Sequence, residues 1–112
     1  DYARVEAALA GALRRFAPGV FLIWYPIVER AEARALPQRL EALSVRAGRG
    51  WLHATLRVRT VAARARGLAA SGVFVVNPPH TLAGALRGAL PTVTRCLASG
   101  PGADWTLRSS GS

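Results

Sequence analysis

The chain has 112 residues, 51% of them hydrophobic, which is enough to form one domain with a buried core rather than a disordered arm. All 15 basic residues are arginine and only six residues are acidic, so the net charge is +9. The longest apolar run, residues 20–25, is too short to span a bilayer, and the single Cys96 excludes a disulfide framework. We therefore expect a cytoplasmic protein without a membrane segment.

The first two predicted elements are a helix and a strand. Residues 2–16 repeat apolar side chains at helical spacing, and Pro18-Gly19 ends the pattern. Residues 20–25 are continuously apolar and rich in residues that favour strands, a pattern typical of a strand covered on both faces, as in a parallel sheet. The chain contains no methionine and begins inside a helical pattern, so we expect it to be a piece of a longer protein.

A second helix and a second strand follow. Residues 29–43 are predicted to be helical, with a kink or a new segment at Pro37. Residues 51–59 alternate between apolar and polar side chains, which predicts a half-buried strand. His53 lies on the polar side of this pattern, and we expect it at the surface.

The residue pattern in the rest of the chain predicts a connection, two strands and a helix. Residues 60–71 form the connection, residues 72–76 a third strand, and residues 82–97 a helix with a kink at Pro91. Residues 104–108 predict a last strand, and residues 109–112 a polar tail. Helices that alternate with strands predict an α/β layered sheet.

The charge is distributed unevenly along the chain. Residues 1–41 carry six arginines and five acidic residues, whereas residues 42–112 carry nine arginines and one acidic residue. Uncompensated arginine attracts phosphate groups, so the second part of the chain favours a nucleic-acid partner.

The chain contains few candidates for catalysis. His53 and His80 have no neighbouring acid or cysteine with which to form a metal site, and we predict no metal. Cys96 lies near the apolar side of a predicted helix and is interpreted as a buried structural thiol. No glycine-rich phosphate loop follows a strand.

Two motifs follow predicted strands. Trp24-Tyr25-Pro26 ends the first strand, where ligands bind in open α/β sheets, and the aromatic pair could stack on a base. Asn77-Pro78-Pro79-His80 follows the third strand and is similar to the Asn/Asp-Pro-Pro-aromatic motif of adenine amino-methyltransferases. We interpret this second motif as a structural turn.

Several segments, in order and spacing, carry a specific resemblance. They are Arg15-Phe-Ala-Pro-Gly19, Phe21-Leu-Ile-Trp-Tyr-Pro-Ile27, Gly67-Leu-Ala-Ala-Ser-Gly72, Val73-Phe-Val-Val-Asn-Pro-Pro-His-Thr-Leu82 and Leu90-Pro91. Over residues 1–107 the chain resembles the carboxyl-terminal part of the RlmJ family of 23S ribosomal RNA (adenine-N(6)-)-methyltransferases.

The resemblance implies a partial Rossmann-like fold that lacks the cofactor-binding half. It implies that the parent protein uses S-adenosylmethionine, that its cofactor loop lies upstream, and that its catalytic Asp-Pro-Pro-Tyr motif falls just before Asp1. Residues 20–25, 51–59 and 72–76 would then be the fifth, sixth and seventh strands of the sheet, the last two antiparallel. His80 stands where the family often carries an aromatic residue.

Three hypotheses remain open at this point. In the first, the chain is an inactive fragment of the methyltransferase, in which the target pocket is lined by residues from both motifs: Trp24, Tyr25, Pro26, Asn77 and Pro78. In this hypothesis 23S rRNA phosphates contact Arg57, Arg59, Arg64 and Arg66, and the fragment self-associates because its first strand lacks a neighbour. In the second, the chain is a non-enzymatic RNA-binding α/β module. In the third, it is a structural subdomain with compositional arginine.

Overall fold

The structure is a computed structural model that describes residues 2–16, 18–27, 31–57, 70–97 and 104–110. These residues form three helices and four strands, and for residues 2, 31–33, 96 and 97 we consider the backbone alone. In chain order the elements are α1 (Tyr2–Arg15), β1 (Phe21–Pro26), α2 (Ala31–Arg46), β2 (Trp51–Arg57), β3 (Ala70–Val76), α3 (Leu82–Leu97) and β4 (Asp104–Ser109).

The four strands form one sheet in the order β1-β3-β2-β4, and every neighbouring pair is antiparallel. Strand β3 therefore lies between β1 and β2, which run parallel to each other. The register places Ile23 and His53 on either side of Phe74. Because side chains alternate along a strand, these three residues share one face of the sheet.

Helices α1 and α2 cover this first face. Leu9 and Leu13 of α1 lie one helical turn apart and are buried with Leu36 and Leu40 of α2 against Phe74. Helix α2 ends at Arg46, and Gly48 just after it has φ 70°, a left-handed conformation that glycine adopts without strain. The amide of Arg49 then donates to the carbonyl of Ser44 and closes the helix end.

Helix α3 covers part of the opposite face. Leu90, with the partly buried Leu82 and Leu86, packs against Leu52 and Val75 of the sheet. Trp105 and Leu107 of β4 complete this second core. Helix α3 contacts β2 and β4, so the same face of β1 remains uncovered among the described residues.

The burial of β1 and β2 is the reverse of the sequence prediction. Strand β1 was predicted to be covered on both faces in a parallel sheet, which is wrong: its neighbour is antiparallel, and Leu22 and Trp24 are 68% and 59% exposed. Strand β2 was predicted to be half-buried, yet residues 51–54 are all buried. The physical reason is position, because β1 is an edge strand and β2 lies between β3 and β4 under helices on both sides.

The other predicted helices and strands are confirmed within the described residues, whereas residues 58–69, which include most of the predicted connection, lie outside them. Helix α2 continues to Arg46 as one helix that contains Pro37, so no second segment begins there. The predicted tail is wrong at its start, because Ser109 belongs to β4 and the amide of Ser110 donates to the carbonyl of Trp51 at 3.0 Å. In the described part of the chain, no helix has the length and apolar character to cross a membrane.

Candidate functional site

The first predicted motif, Trp24-Tyr25-Pro26, lies at the carboxyl end of β1 as expected. The two aromatic residues cannot both stack on the same base, however, because neighbouring side chains in a strand point to opposite faces of the sheet. Trp24 is exposed on the uncovered face, whereas Tyr25 is 3% exposed and belongs to the core beneath α1 and α2. Only Trp24 is therefore free to contact a large ligand.

Tyr25 reaches across the sheet to His53. Its hydroxyl is hydrogen-bonded to Nε2 of His53 at 2.5 Å, and the two rings are nearly parallel, with an interplanar angle of 13°. Gly72 of β3 is paired with Tyr25 in the register, and a Cβ atom on Gly72 would come within 2.4 Å of Cζ of Tyr25. Glycine is required because the tyrosine ring occupies the space above this residue.

His53 is buried, so the expectation that it lies at the surface is wrong. It is 7% exposed because Tyr25 and Phe74 pack against its ring. Burial lowers the pKa of His53 below its ordinary value of 6.5, and the nearby Arg108 guanidinium lowers this pKa further. The sequence signal for this arrangement was Gly72, since a glycine inside a strand marks close approach of another group.

Arg108 connects β4 to two other elements. Its guanidinium lies 5.4 Å from the centroid of the Trp51 ring, and its Nη2 donates to Oε1 of Glu41 on α2 at 2.6 Å. This side chain is therefore held in position by an aromatic ring and a carboxylate together.

The second predicted motif forms a structural turn, as the sequence interpretation proposed. Asn77 has φ 57°, a left-handed conformation that asparagine tolerates. Its amide nitrogen Nδ2 donates to the carbonyl of Gly19 at 2.7 Å, and its backbone amide donates to the carbonyl of Gly50 at 2.8 Å. Asn77 thus connects the segments that precede β1 and β2 to the end of β3.

The structure does not bring the two motifs together. Pro26 is paired with Ser71 near the beginning of β3, whereas Asn77 follows the end of β3. Asn77 lies six residues beyond Ser71 along β3, which corresponds to about 20 Å of extended chain. Trp24, Tyr25 and Pro26 therefore lie at one end of the sheet, and Asn77 and Pro78 lie at the other, beside an open cleft of about 410 Å³.

The predicted RNA-binding arginines are described in part. Arg57 is exposed at the end of β2, at the same end of the sheet as Pro26. Arg59, Arg64 and Arg66 lie outside the described residues, as does the side chain of Cys96. Among the described side chains, no group of three histidine, cysteine or acidic residues is arranged to hold a metal ion.

The match to known proteins covers almost the whole chain. A family model described as "Ribosomal RNA large subunit methyltransferase D, RlmJ" matches residues 1–108. The chain belongs to the RlmJ family. It is 36% identical over 107 residues to ribosomal RNA large subunit methyltransferase J of Haemophilus influenzae, and 36% identical over 91 residues to the protein of the same name from Escherichia coli.

The RlmJ-family relatives are much longer than this chain. The alignment covers 96% of the chain but 37% of the Haemophilus protein, and 81% of the chain but 31% of the Escherichia protein. The crystal structure of protein LPL1258 from Legionella pneumophila matches the fold with a TM-score of 0.80 at 21% identity. That match covers 96% of the chain and 38% of the Legionella chain.

Proposed function

We propose that this chain is the carboxyl-terminal part of a methyltransferase that uses S-adenosylmethionine to modify the exocyclic amine of an adenine in 23S ribosomal RNA. The observation that carries the proposal is the family match over residues 1–108, together with two relatives named as large-subunit rRNA methyltransferases. Such a protein would act in the cytoplasm, where ribosomal RNA is assembled.

The strand order supports a partial Rossmann-like sheet. In the proposal, β1, β2 and β3 are the fifth, sixth and seventh strands of the methyltransferase sheet. Strand β3 runs antiparallel between two mutually parallel strands, which is the arrangement that this assignment needs at one end of the sheet.

The free edge of β1 supports the proposal that an upstream half of the same domain packs against this strand. Strand β1 pairs with β3 on one side, and no described strand pairs with its other side. Leu22 and Trp24 of this strand are exposed, as are Phe16 and Val20 in the segment before it. Exposed apolar side chains on an unpaired edge strand favour a partner, which in the proposal is the upstream half of the same domain.

The cofactor would be bound mainly by that upstream half. No glycine-rich turn follows β1 or β2 in the sequence, so these residues do not fit the role of the principal nucleoside and methionine contacts. We therefore assign no catalytic residue in this chain. We also expect the isolated fragment to be inactive.

The described residues proposed for RNA, Trp24, Pro26 and Arg57, lie towards the end of the sheet where β1 ends. Trp24 and Pro26 would form part of the wall of the target pocket, with Tyr25 holding this wall from within the core. Arg57, Arg59, Arg64 and Arg66 at or after the end of β2 would contact phosphates. Asn77 and Pro78 lie about 20 Å away along the strands, so the proposal gives them a structural role instead.

A transfer assay tests the proposal. The longer parent protein, incubated with labelled S-adenosylmethionine and protein-free 23S rRNA, should transfer label that nucleoside analysis identifies as N6-methyladenosine. The 112-residue chain should transfer none, and its sedimentation should show self-association. A parent that binds 23S rRNA without transferring label would instead support the alternative, a non-enzymatic basic RNA-binding module, which the net charge of +9 favours.

A further inference from the structure

Two clefts adjoin at the end of the sheet where β3 ends, away from the proposed target pocket. The first, of about 410 Å³, is lined among others by Trp51, His80 and Ser109. The second, of about 370 Å³, is lined by Trp51, Arg87, Leu107, Arg108 and Ser109. Because Trp51 and Ser109 line both, the two clefts are adjacent, and we refer to them together as the β4 groove.

The β4 groove carries positive charge without a lining carboxylate. Among the described residues that line it, the titratable side chains are His80, Arg87 and Arg108. Glu41 neutralises part of the charge of Arg108 and fixes its guanidinium. Arg87 is exposed and forms no ion pair with any described residue, so its charge is available to a ligand.

The chemistry of the groove fits a nucleotide chain. Arginine and serine side chains beside proline and leucine offer donors for phosphate oxygens together with apolar surface for a sugar or a base. Each cleft lies within the range of about 300–1,000 Å³ that holds a drug-sized molecule, so a lone inorganic anion would leave most of it empty.

We infer that the β4 groove binds the phosphate backbone of the RNA substrate at a distance from the reacting base, with Arg87 as its principal free cation. This inference rests on the proposed function. The groove and the end of β1 are separated by about 20 Å along the strand direction, so one extended RNA can occupy both. A contact remote from the reacting atoms that is made equally in the ground and transition states acts on KM and leaves kcat unchanged.

The test compares two arginines on the same helix. Arg87→Gln removes the proposed contact, and Arg95→Gln is the matched control, since Arg95 is also exposed and lies about 12 Å further along α3. Both variants are made in the longer parent protein. Binding of a fluorescent 23S rRNA fragment is measured at several salt concentrations, and KM and kcat for methyl transfer are measured on the same RNA.

Arg87→Gln should weaken RNA binding about fivefold to tenfold, lower the salt slope by about 1, and raise KM while kcat is unchanged. Arg95→Gln should change affinity less than about twofold. Equal effects of the two variants would show general electrostatic attraction and overturn the inference, as would an unchanged affinity for Arg87→Gln. If the wild-type parent still methylates RNA in either of these cases, the proposed function is retained and only the inference about the groove is overturned. If the wild-type parent binds no RNA, both the proposed function and the inference are overturned.

Discussion

Strands β1 and β2 both contribute to the same sheet, but they experience different environments. Residues 51–54 of β2 are buried on both faces, whereas β1 has its Tyr25 face in the core and its Trp24 face exposed. Judged by composition alone, β1 is the more apolar strand and should be the more deeply buried. The difference teaches that the neighbours of a strand, and not its composition, determine how deeply it is buried.

Truncating one leucine in each strand should give the largest difference in the free energy of unfolding. Leu52→Ala in β2 should lower the free energy of unfolding of the chain by about 2–5 kcal/mol, because Leu52 is 1% exposed and a cavity remains. Leu22→Ala in β1 should change it by less than about 0.5 kcal/mol. Urea denaturation of the two variants measures both values.

The same pair of variants in the longer parent protein sharpens the comparison. If the upstream half covers β1, Leu22→Ala should become clearly destabilising there and approach the effect of Leu52→Ala. If Leu22→Ala leaves the free energy of unfolding unchanged in both proteins, this result contradicts the proposal that this face is covered.

Gly72→Ala should be the next largest perturbation. The new Cβ would lie 2.4–2.6 Å from Cζ, Cε1 and Oη of Tyr25, so the ring must move and its hydrogen bond to His53 must break. We expect a loss of about 1–3 kcal/mol in a thermal or urea unfolding experiment. Gly84→Ala on α3 is the control, because its Cβ meets no atom within 4 Å and alanine favours a helix by about 0.5–1 kcal/mol.

The pH dependence of stability should be the smallest effect. Because the pKa of His53 is lowered in the folded chain, the unfolded chain takes up the proton first as the pH falls below about 6.5. The contribution of neutral His53 is complete above this pH and is lost progressively below it. Unfolding midpoints at about pH 7.5 and about pH 5.5 measure the decrease. His53→Gln should reduce this decrease.

The sequence predicted the elements better than their environments. Periodic leucines defined α1 and α3, and runs of β-branched and aromatic residues defined the strands, because these patterns are local. The burial of His53 depends on Tyr25 from a strand that is not its immediate neighbour. The separation of the two motifs likewise follows from the antiparallel direction of β3, which no local pattern specifies.

Asn77 has a consequence for the pairing of the sheet. Slippage of β1 by one residue would turn each of its side chains to the opposite face, and Tyr25 would leave the core. An edge strand with a free outer side is the one most exposed to such slippage. The Asn77 amide holds the segment before β1 through Gly19, and its backbone holds the segment before β2 through Gly50. One residue at the end of β3 thus locks the alignment of both neighbouring strands.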